Sequence, residues 1–212
     1  MPYTNFSFLP APLSVLAFLG AGLLTAAFLA AAAVAALAGR GPFARRLLLG
    51  SAVLPPAYGV VLIALGAATR ERTVPRGNEK FFCEIDCHVG YSVLSFIEKG
   101  DGGGRRAVVT LRSRFDETTI SPRRGNGSLT PNPRSAALVD AQGRRFVAER
   151  AGLVALRSPL KPRESYATDV VFHIPEGAGD LRLSLVEADG LVRLLLGHER
   201  APFAGETLLA LR

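Results

Sequence analysis

The sequence predicts an all-β antiparallel sandwich carried behind a two-helix transmembrane hairpin, α + β overall. Three observations predict it. Residues 13–38 run for 26 positions without a charge, and residues 47–68 for another 22. The first 70 residues hold no Asp, Glu or Lys, whereas all 18 acidic and 22 of the 25 basic residues follow Ala68. After Glu71 the apolar period changes to two, and Gly- and Asp-rich turns separate the short runs.

About 20 apolar residues suffice for a helix to cross about 30 Å of hydrocarbon, so both uncharged stretches qualify as spans. Pro10 and Pro12 suit the entrance of the first helix. Gly22, Ala26 and Ala30 fall four apart, which either lines a close-packing face or reflects an Ala-rich helix. Residues 1–12 carry no Lys or Arg, and the apolar run is about twice a signal peptide's usual h-region. The first helix is therefore expected to stay as an anchor.

Residues 39–46 form the linker and contain Arg40, Arg45 and Arg46. Positive residues favour the cytoplasmic side, so both chain ends are expected outside, in the inner membrane of a cell. Arg70, Arg72 and Arg76 argue the other way, but they head a long domain, where the rule loses force. Pro55 and Pro56 predict a kink in the second span. Neither span holds an ionisable group apart from Tyr58, which argues against conduction and for an anchor.

Residues 70–80 read as a juxtamembrane linker and 81–212 as the sandwich. The predicted strands are 81–95, 107–114, 135–139, 145–148, 167–173, 181–186, 191–196 and 207–211. Residues 121–133, with three Pro, exceed a hairpin turn and read as a long loop. The 143 residues from Arg70 onward are enough to bury a core unaided. Their excess of basic over acidic residues is only four, and no aromatics interleave on a basic face, so no nucleic-acid partner is expected. Arg outnumbers Lys heavily, and Ala, Gly and Leu abound, which points to a GC-rich bacterial genome.

One stretch resembles a known family. Asp140, Gly143 and Phe146 match a "D-x-x-G-x-x-Y/F" hairpin. Leu160, Pro162 and Glu164 match an "L-x-P-G-E" turn, with Arg163 in the place of its Gly. Val171, Phe172 and Pro175 match a "V-F-x-V-P" strand. Residues 107–211 thus resemble bacterial extracytoplasmic domains with a telokin-like, immunoglobulin-type fold. The resemblance implies an immunoglobulin-like sandwich and an extracytoplasmic place, and it implies no reaction.

Residues 81–93 hold both cysteines of the chain and one of its three histidines. As a strand, Phe81, Cys83, Ile85 and Cys87 face one way and Glu84, Asp86 and His88 the other. Four readings stand. The cysteines fill a core as small apolar residues. Alternatively, Cys83 and Cys87 form a disulfide, favoured by an oxidising compartment, although an extended strand separates their α-carbons by about 13 Å and a disulfide needs less than about 7 Å. A third reading makes Cys83, Cys87 and His88, with His173, ligands of copper or zinc. The last is covalent haem, because Cys-x-x-x-Cys-His differs by one residue from the c-type signature.

The copper reading is similar in layout to subunit II of cytochrome oxidase, a two-helix hairpin followed by a sandwich with a Cys-x-x-x-Cys dinuclear site. Here the pair lies near the domain's start, no His follows at the family's spacing, and no Met follows the initiator. The oxidase site is not supported. His173 and His198 read as ordinary histidines, and the glycines of 100–104 as a hairpin loop without the Lys-Ser/Thr of a phosphate cradle. Paired catalytic carboxylates and a Ser/His arrangement are lacking, so no enzyme is expected.

Two function classes remain. One is a non-catalytic envelope protein whose partners are the lipid bilayer and another envelope protein. The other is a copper, zinc or redox module built on Cys83, Cys87 and His88.

Overall fold

A computed structural model describes residues 3–83, 87–100, 102–119, 126–187 and 190–212. The chain divides into two units. One comprises Met1–Asn5, Arg70–Gly190 and Gly205–Arg212; the other comprises Phe6–Thr69 and Leu191–Ala204.

The second unit is built on two long apolar helices, α1 (Ala11–Leu37) and α2 (Gly41–Ala68), each long and apolar enough to cross a membrane. A proline in the first turn starts each one, where the missing N–H has no partner to lose. The helices run antiparallel: Phe28 packs 3.5 Å from where a Cβ on Gly50 would lie, and the Phe18 and Tyr58 rings sit 6.3 Å apart. From Ala21 onward the covered positions of α1 are Ala21, Thr25, Phe28, Ala32 and Ala35, alternating steps of four and three. That is the seam of two helices packed at a shallow angle, with small residues admitting close approach. Gly22, Ala26 and Ala30 lie exposed on another face, so the four-residue small stripe is not the contact. A strict four-residue step drifts away from a 3.5-residue seam. α2 continues through Pro55 and Pro56. The hydroxyls of Thr25, Ser51 and Thr69 donate back to the carbonyls of Ala21, Leu48 and Leu65, so each is satisfied within its own helix.

The other unit is a sandwich of two five-stranded sheets. Its strands are β1 (Tyr3–Thr4), β2 (Arg72–Val74), β3 (Lys80–Phe82), β4 (Val89–Gly100), β5 (Arg105–Phe115), β6 (Ser135–Val139), β7 (Arg145–Val147), β8 (Ser165–Ile174), β9 (Arg182–Val186) and β10 (Thr207–Ala210). The sheet orders are β1-β3-β4-β5-β8 and β2-β10-β9-β6-β7. Pairing is antiparallel except at two edges, where β1 runs parallel to β3 and β2 parallel to β10. Both exceptions come from segments flanking the helices, which join the sheets as added strands. Residues 72–74, expected in a linker, are thus part of a sheet.

The period-two pattern locates the core. Ala107, Val109 and Leu111 of β5, with Val170, Phe172 and Ile174 of β8, meet Leu138 of β6 and Leu183 and Leu185 of β9. Tyr91 and Val93 of β4 point inward, then a bulge between Val93 and Ser95 shifts the register. Leu94 is left exposed and Phe96 packs against the core, because the extra residue reverses the alternation. The short helix α3 (Arg150–Ala155) lies against β8, where Gly152 leaves room for Val170.

Two expected strands differ. Residues 81–95 are a hairpin of β3 and β4, with Phe82 opposite Val89. Residues 191–196 form no strand; Gly190–Leu194 is a 3₁₀ turn, and the segment that follows packs on the helices. Its apolar residues answer to the helix pair rather than to the sandwich, and local period does not reveal which.

Candidate functional site: the disulfide hairpin and two clefts

Between β3 and β4 the chain doubles back, bringing the α-carbons of Cys83 and Cys87 to 4.3 Å, and a disulfide joins them. In an extended strand they would stand about 13 Å apart. Glu84, Ile85 and Asp86 lie outside the described residues. Asn5, buried beside β3, holds the start of this loop. Its side-chain carbonyl accepts from the Cys83 N–H at 2.9 Å, and its amide nitrogen donates to the Cys83 carbonyl at 3.3 Å. The carboxamide thus does the work of one more β-residue after β1, pairing both backbone groups of Cys83.

Copper, zinc and haem need something this arrangement lacks. A sulfur bonded to sulfur is no thiolate, and thioether attachment to haem needs free thiols. His88 is buried with its ring tilted 5.6 Å from Phe115. Its carbonyl accepts from Asp116 N–H. His173 pairs opposite Arg106, nine residues along β5 from Phe115, or about 30 Å away. There its Nε2 meets the Glu149 carboxylate at 2.9 Å. His198 belongs to the helix unit, where it packs edge-on against Phe6. The three histidines do not converge. Among the described residues no cluster of three or more His, Cys, Asp or Glu could hold a metal.

Beside the hairpin lies a cleft of about 210 Å³ lined by Phe82, His88, Val89, Leu129, Asn132 and Glu187. The Tyr91 hydroxyl donates to the Glu187 carboxylate. Burial, then the charge and hydrogen bond of Glu187, push the Tyr91 phenol well above its ordinary range. A larger cleft of about 310 Å³ is lined by Phe96, Glu98, Arg105, Asp180, Arg182 and Arg212, among others. Glu98 receives Arg105 at 3.1 Å and Arg212 at 3.2 Å, and the Arg212 guanidinium stands over the Phe96 ring. Arg182 also pairs with the Glu71 carboxylate, so the three guanidiniums here face three carboxylates. Both clefts offer hydrogen bonding and charge. Sequence reasoning missed both, because their polar residues come from strands far apart in the chain.

No protein-family model matches this chain, and no curated protein matches it. Among solved structures it is similar to an uncharacterized β-sandwich protein from Clostridium difficile 630. The two share 7% identity and a TM-score of 0.41, over 68% of this chain and 96% of that one.

Proposed function

We propose that this protein is a non-catalytic binding or structural module of a bacterial envelope. In this reading α1 and α2 anchor it in the inner membrane. An immunoglobulin-like, telokin-like sandwich is displayed outside the cytoplasm, where it binds another envelope component.

The observation that carries the reading is the pairing of β1 with β3, at Tyr3 opposite Lys80 and Thr4 opposite Phe81. The tail before the first helix and the strand after the second lie in one sheet, as an even number of crossings requires. Arg40 lies between the helices and Arg45 and Arg46 lie in the first turns of α2, which favours the cytoplasm for that end. A disulfide accords with an oxidising compartment for the other.

A periplasm-dependent phosphatase fused after Arg212 tests the orientation, and alkaline carbonate extraction tests the anchoring. The reading expects an active phosphatase and a product retained in the membrane pellet. Activity of only a cytosolic reporter, or release by carbonate, overturns it.

A further inference from the structure

Fourteen residues between β9 and β10, Leu191–Ala204, belong to the helix unit. They lie on the first turns of α1 and the last turns of α2. Leu196 and Ala201 pack with Leu62, and Leu9, Ala17 and Leu65 border them. Gly66 is so close that a Cβ there would stand 2.1 Å from the Pro202 carbonyl oxygen.

The depth of this contact follows from helix geometry. Leu62 stands six residues before Ala68, or about 9 Å from the end of α2, and Tyr58 about 15 Å from it. The uncharged part of α2, residues 47–68, is about 33 Å long and matches a hydrocarbon layer of about 30 Å. A segment packed on Leu62, Leu65 and Gly66 therefore lies at the level of the outer acyl chains. Irregular backbone at that level needs its polar groups satisfied by protein. The Ser14 hydroxyl donates to the Leu196 carbonyl at 2.7 Å, and the Tyr58 hydroxyl to the Leu194 carbonyl at 2.6 Å. Ser7 N–H donates to the Gly197 carbonyl. Two of the few polar side chains of these helices are thus spent on this segment.

Its exposed residues are apolar apart from Arg193. Leu191 is 70% exposed and Phe203 76%, and Leu194 and Phe8 are exposed as well. Phe203 holds a left-handed backbone (φ 65°), which bulky residues rarely adopt. Arg193 is exposed between Leu191 and Leu194. Large apolar residues beside an arginine suit the acyl-headgroup boundary.

We propose that Leu191–Ala204 is a bilayer-inserted element. It places Leu191, Leu194 and Phe203 among phospholipid acyl chains, with Arg193 at the phosphate level. This rests on the reading of α1 and α2 as membrane spans.

The chain has no tryptophan, so each of F203W, L191W and L23W introduces a single indole. The full chain is reconstituted in phosphatidylcholine–phosphatidylglycerol vesicles whose acyl chains carry bromine. F203W and L191W emission is expected to fall about twofold with bromines near the ester end, and to resist aqueous iodide. L23W, in the middle of α1, is expected to respond to bromines near the methyl end. V147W, on the sandwich surface, supplies the water-exposed reference. Should L23W be quenched by lipid while F203W and L191W behave like V147W, the proposal is overturned with the spans intact. If L23W escapes lipid quenching, the membrane reading fails and this proposal with it. L191W carries the test if F203W does not fold.

Discussion

The Lys80 ammonium, fully buried in β3, donates to the Thr207 carbonyl of β10 at 2.7 Å and so ties one sheet to the other. It also reaches the Leu185 carbonyl of β9 at 3.3 Å and stands 4.6 Å from the Phe82 ring centre. The Glu206 carboxylate senses its charge. A buried charge persists only when its donors and its counter-charge are both met. Lys80→Met removes the ammonium and leaves carbonyls and a carboxylate behind. It is expected to cost about 3 kcal/mol of unfolding free energy, measured by denaturant titration of the full chain in detergent. A loss under about 0.5 kcal/mol would show the tie to be idle.

Closing a loop as short as Cys83–Cys87 removes little chain entropy. Reduction, or Cys83→Ser with Cys87→Ser, is expected to lower stability by about 2 kcal/mol without unfolding the sandwich. Mass spectrometry after alkylation, with and without reductant, tests the bond itself. Two alkylated thiols in the unreduced protein from cells would contradict it.

Arg163 holds a left-handed backbone (φ 72°), a conformation that favours glycine. Its guanidinium meets Glu117 at 2.9 Å but is largely exposed, so that pair contributes little. Arg163→Gly relieves the Cβ clash and is expected to stabilise the domain by about 0.5–1 kcal/mol. A lowered melting temperature would mean that the ion pair outweighs the strain.

Acid and alkali should act through different residues. Burial pushes the Glu206 carboxyl up, but hydrogen bonds from Arg145 and Ser184 and the charge of Lys80 outweigh it, and its pKa is lowered. Its contribution is complete above the ordinary carboxyl pKa of about 4.3 and is lost as pH falls through the folded value. Tyr91 is the reverse case: its raised pKa gives stability that is complete below about pH 10 and lost as pH rises through the folded value. Melting curves across both ranges should show an acid limb flattened by E206Q and an alkaline limb flattened by Y91F. Unchanged limbs in both variants would refute these assignments.

Gly66→Val should dislodge the Leu191–Ala204 segment, since no side chain fits against Pro202. Trypsin is expected to cut at Arg200 several-fold faster in G66V than in the parent, because the backbone there is released. Gly59, with open space around it, provides the matched control as G59V. Equal cleavage in both would argue that the segment is not held by α2.

Much of this architecture was legible locally. The two uncharged stretches, the strands at 107–114, 135–139 and 167–173, and the hairpin at Asp140–Gly143 all appear near their expected places. Asp140 caps that hairpin by accepting from the Gln142 and Arg144 N–H groups, which explains why Asp and Gly recur there. The disulfide was legible only as one of several readings, because spacing alone does not say whether the backbone doubles back.

Hydropathy and apolar period are properties of residues a few positions apart, so the chain by itself determined its two apolar helices and its alternating strands. Which surfaces meet was decided only in three dimensions. Asn5 pairs with Cys83 across 78 positions, and Ser14 with Leu196 across 182. An apolar run such as 191–196 buries equally well against a sheet or a helix pair, and only the competition among complete packings selects the helices.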